Sequence, residues 1–252
     1  LDLRHATLCF VATLPAQYAI LENRPTLAGY TFAMTAPDFH RYTDQSDASA
    51  PPKVSPCFPL IVPGFLPLAE LALYARFLAQ YEADFGELTE ADTGYWKGRT
   101  LALPQIQDPE VRDAMISLRT RIIERLTEAL NEQFGPMPPL YSDVLNFARW
   151  PQGYQLMPHA DAQNPGNQPH PFPWRNFAAV IYLNEDYDGG EIYFPELGIE
   201  LRPTAGTLVL FPGTLKYLHG VRMVTGGMRH TIASFLTFNA SKQDRFGVEP
   251  QS

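Results

Sequence analysis

From residue 142 onward the chain reads as a succession of short strands with no helix between them, and nothing else constrains its fold as much. Alternation and short apolar runs predict strands over 142–150, 176–184, 191–194, 199–202, 207–211, 219–224 and 229–239. Turns fall at Asp188-Gly189-Gly190, Gly206, Pro212-Gly213 and Gly226-Gly227. So many short strands within about a hundred residues can bury their apolar faces only as an antiparallel sandwich or barrel.

The preceding segment has helical character. Residues 66–81 are dense in Leu and Ala, and Asp108-Pro109-Glu110 combines an N-cap, a proline at the first helical position and an acid in the first turn. Val111, Met115, Leu118, Ile122, Leu126 and Leu130 then recur every three or four residues as one apolar stripe, ending at Gly135-Pro136. Such helices brace a sheet. Further upstream, residues 6–14, 18–22 and 30–34 read as strands, followed by a polar, Pro-rich loop over 42–59. The apolar run 7–14 behind Arg4 has the shape of a signal-peptide core, but a strand is the better reading, and a targeting peptide ahead of it stays open. The expected organisation is one catalytic domain over 1–252: N-terminal strands and loop to residue 60, supporting helices over 61–140, and a β core over 141–240.

Composition excludes some functions. At 252 residues, 45% hydrophobic and 18% charged, the chain can bury a sizeable core. A net charge of -8 with scattered basic residues argues against nucleic acid as partner, because phosphate contacts need clustered Lys and Arg. No apolar run approaches the ~20 residues of a membrane span. Cys9 and Cys57 could form at most one disulfide, which favours a reducing, cytoplasmic setting.

Chemistry concentrates in the β region. On an extended chain residues two apart share a side, so His159 and Asp161 can converge on one ion, with His219 brought opposite by the folding of the sheet. Two imidazoles and a carboxylate make a facial triad suited to Fe(II), with Mn(II) and Zn(II) as competitors. His170 and His230 read as structural or solvent-facing. Arg229 lies ten residues beyond His219; a three-residue loop Thr225-Gly226-Gly227 would set it opposite Met223 on a hairpin, ~13 Å along the strand from His219. A guanidinium there suits the far carboxylate of a dicarboxylate cosubstrate by bidentate pairing. Thr231, two residues on, adds a hydroxyl to the same face. Tyr182 lies in an apolar run, 178–184, where its phenol needs either that carboxylate or a backbone partner.

These residues resemble the Fe(II)/2-oxoglutarate dioxygenases, especially the prolyl-4-hydroxylase-like branch. The resemblance rests on Arg149-Trp150-Pro151-Gln152-Gly153, Pro158-His159-Ala160-Asp161, Tyr182-Leu183-Asn184, Gly189-Gly190-Glu191, Phe194-Pro195, His219-Gly220-Val221 and Arg229, all in the family's order. It implies a mainly β fold with supporting helices, a double-stranded β-helix or distorted, cupin-like jelly roll. It implies Fe(II) on His159, Asp161 and His219, 2-oxoglutarate on Arg229 and Tyr182, and O2 as the second cosubstrate. The implied reaction converts 2-oxoglutarate to succinate while an unactivated C–H bond is hydroxylated. Asp161 matters here, since halogenating relatives carry a small residue at that place. Trp150 and Leu156 stand where the family often has Tyr, so peptidyl-prolyl specificity is not carried over.

The long segment 162–176 reads as a lid or as a rigid connector. Trp150, Arg149, Trp174 and Arg175 are candidate substrate contacts. The leading expectation is a small-molecule substrate, an amino acid or natural-product intermediate. The alternatives are a peptidyl or protein hydroxylase and a non-catalytic metal-binding jelly roll.

Overall fold

The computed structural model describes residues 58–80, 82–85 and 99–248. The strands expected over 6–14, 18–22 and 30–34 lie outside them. Eleven strands are present: β1 Leu60–Val62, β2 Thr100–Ala102, β3 Tyr141–Pro151, β4 Leu156–His159, β5 Phe177–Tyr182, β6 Tyr187–Gly189, β7 Ile192–Phe194, β8 Ile199–Leu201, β9 Leu208–Pro212, β10 His219–Val221 and β11 Val224–Thr237. Two helices precede most of them, α1 Leu68–Gln80 and α2 Pro109–Phe134. The strands form two antiparallel sheets. The large one runs β1-β9-β5-β11-β3-β2 with β6 paired to β11, and the small one runs β4-β10-β7-β8. This is the architecture of a double-stranded β-helix.

α2 starts and stops where its sequence says it should. The Asp108 carboxylate accepts from the Glu110 and Val111 backbone N–H groups at 3.0 and 3.2 Å, satisfying donors that have no partner within the helix. Gly135 ends it at φ 78°, a conformation costly for any residue with a Cβ. The six stripe residues are all buried, and with Leu73, Tyr74, Phe77 and Leu78 of α1 they cover one face of the large sheet. Phe147 of β3 is central there, its ring 5.5 Å from Tyr74 and 5.2 Å from Phe77. Truncating such a fully buried ring to Ala typically costs about 3–5 kcal/mol. A second cluster, including Ala178, Tyr182, Ile192, Phe194, Val209 and Phe211, fills the space between the sheets. β5 and β9 are therefore covered on both sides, which is why they read as apolar runs without alternation. Among the described residues no helix is long and apolar enough to cross a membrane.

One expected connection is absent. β10 and β11 do not form a hairpin: β10 pairs with β4 and β7 in the small sheet, whereas β11 pairs with β3, β5 and β6. Val224–Gly227 does not turn back, because it is extended against β6. Arg229 consequently lies opposite Trp150, not Met223. β1, β2, β4 and β6, three or four residues each, are too short to announce themselves by periodicity.

Candidate active site

His159 ends β4, His219 opens β10, and the two are direct cross-strand partners. Their ring centroids are 4.4 Å apart. Each donates its Nδ1–H to the backbone carbonyl two residues back, His159 to Met157 and His219 to Tyr217, both at 3.1 Å. A carbonyl can only accept, so these contacts fix the tautomer and leave each Nε2 with a free lone pair. Asp161, just past β4, reaches both rings: Oδ1 is 3.6 Å from His159 Nε2 and Oδ2 is 3.8 Å from His219 Nε2. All three ligand atoms lie within 4.8 Å of one another, a cluster that could hold one metal ion.

Burial and charge shift the protonation of all three groups. Burial pulls the His219 pKa down to about 4, against the opposing pull of Asp161, so the ring is neutral near pH 7 and able to ligate. Burial pushes Asp161 up, but the nearby His159, His219 and Arg175 outweigh it and hold the carboxyl below its ordinary value. For His159 burial pulls down, while Asp161 and two backbone contacts leave the net shift upward. Asp161 Oδ2 is buried without a hydrogen-bond donor, as a carboxylate oxygen reserved for a cation would be.

The triad lines a cavity of about 410 Å³ to which both sheets contribute. Trp150, Ala148, Asn146 and Val144 face it from alternate positions of β3, and Arg229, Thr231, Ala233 and Phe235 do so from β11. Arg229 is 1% exposed, and its Nε and Nη1 have no hydrogen-bond partner among the described residues. Its guanidinium carbon lies 5.3 Å from the Trp150 ring and 4.9 Å from the Tyr182 ring. No described carboxylate pairs with it. A buried cation so placed is costly unless an anion arrives, which fits a carboxylate-bearing cosubstrate. Room for the Arg229 stem comes from Gly190, where an added Cβ would stand 3.0 Å from Arg229 Cδ. Trp150 Nε1–H donates to Thr231 Oγ1 at 3.4 Å, holding the hydroxyl beside the arginine.

The other sequence candidates divide. Tyr182 is fully buried and faces Thr231 in register, but packs in the apolar cluster beside the cavity wall, not on it. Arg175 lines the cavity: its Nε–H donates to Asp143 at 2.9 Å, and the Phe172 and Phe235 rings lie 3.9 and 3.7 Å from its guanidinium. Trp174 does not line it; its Nε1–H goes to the same Asp143 oxygen at 3.0 Å. Arg149 does not either. Its side chain sits on the helix-facing side of β3, bonded to the Glu82 carboxylate and over the Phe85 ring, as strand alternation with Trp150 requires. His170, which the sequence marks as structural or solvent-facing, lines the cavity together with Phe172. Tyr187 is buried near Arg229, its phenol pKa pushed up by burial and pulled back by that cation. No strand pattern marks it in the sequence, because β6 is so short.

Residues 145–237, which carry the triad, Arg229 and Thr231, match the family profile described as the 2OG-Fe(II) oxygenase superfamily. Over that span the β core of this chain is similar to that superfamily. Fe(II), 2-oxoglutarate and O2 are its cofactor set, and the orphaned Asp161 oxygen and Arg229 nitrogens fit them. The chain is also 36% identical over 87 residues to prolyl 3-hydroxylase 1 of Rattus norvegicus, a match spanning 32% of this chain and 12% of that protein. Among solved structures it resembles a Pseudomonas putida prolyl-4-hydroxylase, with TM-score 0.51 and 23% identity, covering 71% of this chain and 91% of that one. It also resembles a Trichoplax adhaerens prolyl hydroxylase in complex with a hypoxia inducible factor peptide fragment, with TM-score 0.55 and 17% identity over 76% and 87% of the two chains. These relatives overturn the expectation of a small-molecule substrate, since all three are prolyl hydroxylases and one is seen with a peptide.

Proposed function

We propose that this oxygenase hydroxylates a prolyl residue in a peptide or protein. The identity to a prolyl 3-hydroxylase carries the reading. The largely apolar cavity that the triad lines supports it, since a prolyl ring is itself apolar. In this reading His159 and His219 hold Fe(II) through Nε2 and Asp161 through its carboxylate. Arg229 takes the far carboxylate of 2-oxoglutarate, with the Thr231 hydroxyl and Tyr182 ring beside it. Bound together, iron and 2-oxoglutarate activate O2, the keto acid leaving as succinate and CO2 while one oxygen atom enters a substrate C–H bond.

The protein's own work is placement. Nδ1 hydrogen bonds keep both imidazoles aimed, and burial keeps His219 neutral. The sheets exclude water from the Arg229 pocket, where a charge-assisted bidentate pair is strong. Trp150, over the Arg229 guanidinium, walls the cosubstrate end, and Arg175, held rigid by Asp143 and two rings, is the substrate-side wall residue. Arg149 and Trp174 have no part in it. The test is incubation of the protein with Fe(II), 2-oxoglutarate, O2 and a panel of proline-containing peptides. The expected result is peptide-stimulated succinate formation matched by a 16 Da gain on proline. Succinate release that no proline peptide stimulates would overturn the reading.

A further inference from the structure

Asn146 is a polar side chain on an otherwise apolar stretch of the cavity floor. It projects from β3 into the cavity, its neighbour across one ladder is Ala102 of β2 and across the other Ala233 of β11. Neither methyl group can hydrogen-bond, and the Asn146 side-chain amide makes no hydrogen bond to any described residue. It is half-buried, so its donor and acceptor face the space a ligand would take. A primary amide offers one carbonyl and one NH2, the complement of the C=O and N–H of a peptide bond.

Position separates this group from the cosubstrate. The Arg229–Trp150 pair marks one end of the floor, Thr231–Ala148 follows, and Ala233–Asn146 comes next. Asn146 is thus four residues from Trp150 along the strand, roughly 13 Å. 2-Oxoglutarate held at Arg229 leaves that far row to the substrate.

Resting on the prolyl-hydroxylase reading, the geometry points to Asn146 as a specificity-determining residue that grips the substrate's main chain through an amide-to-amide hydrogen bond. The Oδ1 atom accepts the substrate N–H, and binding replaces water at an amide that no described residue bonds. An ester at that place in the substrate has no proton to give and gains nothing from Asn146.

The experiment uses a peptide of five Pro-Pro-Gly repeats, in which glycine supplies the main-chain N–H within each repeat, and its depsipeptide analogue with glycolate in place of glycine. Steady-state kinetics with Fe(II) and 2-oxoglutarate compare the native protein with Asn146→Leu, close in volume, and Asn146→Ala, which adds no bulk. Melting curves verify that both variants fold. One neutral hydrogen bond corresponds to about a five- to tenfold rise in KM for the amide peptide. The rise should be absent, or under about twofold, for the ester analogue, because only the missing partner separates the two substrates. Equal effects on both peptides, or an unchanged KM for the amide peptide, would overturn the role of Asn146 alone. A peptide that neither binds nor stimulates succinate formation would overturn the prolyl-hydroxylase reading, and this role with it.

Discussion

The two faces of the large sheet each bury an arginine, and the two are treated in opposite ways. Arg149, on the helix side, is 6% exposed, pairs with Glu82 and lies over Phe85. Arg229, on the cavity side, is 1% exposed, lies by Trp150 and Tyr182, and has no described carboxylate. The two belong to adjacent rows of the same β3–β11 ladder, Arg149 opposite His230 and Arg229 opposite Trp150. Burial alone therefore says little about function. A buried charge completed within the chain is architecture, and one left incomplete is waiting for a ligand.

That contrast can be attacked at several strengths. The largest effect belongs to the metal ligands. Asp161→Ala removes the only anionic ligand of the triad and should abolish the visible charge-transfer band that forms when Fe(II) and 2-oxoglutarate are added anaerobically; a surviving band would detach the triad from the metal. Next come the arginines, compared as apoproteins by thermal melting. Arg229→Met removes an uncompensated buried cation and should leave the melting temperature unchanged or raised. Arg149→Met breaks a pair whose acid is 45% exposed, so the loss should stay within about 1 kcal/mol. Were Arg229→Met the more damaging of the two, its guanidinium would have a partner inside the protein. The smallest effect is at Trp150, where replacement by Leu removes the ring and the donor to Thr231. It should weaken 2-oxoglutarate binding by about two- to fivefold, measured by titration of the band.

Much of this is legible in the amino-acid sequence, for physical reasons. The His159–Asp161 spacing and the distal His219 mark ligands because strand geometry puts alternate residues on one side, and the three do converge. The cap, stripe and stop of α2 are local, and local chemistry wrote them. Arg229 is marked by its offset from His219, but through a hairpin that does not form. Its true neighbour, Trp150, is far away in sequence, and no turn chemistry reports that the chain leaves the small sheet between β10 and β11. Arg149 and Trp150 cannot be separated either. β3 is covered on both faces, so its sequence lacks the polar alternation that would say which residue meets the cavity. His170 lies in a loop, where no period predicts direction.

The contrast between the two arginines is tested most directly by an anaerobic titration of the Fe(II)-loaded protein with 2-oxoglutarate, run in parallel on the native chain, Arg149→Met and Arg229→Met. Coincident curves are expected for the first two. For the third the midpoint should shift on the order of a hundredfold, as expected on removing one partner of a buried charge pair. An Arg229→Met curve that overlays the native one would contradict the assignment of that guanidinium to the cosubstrate.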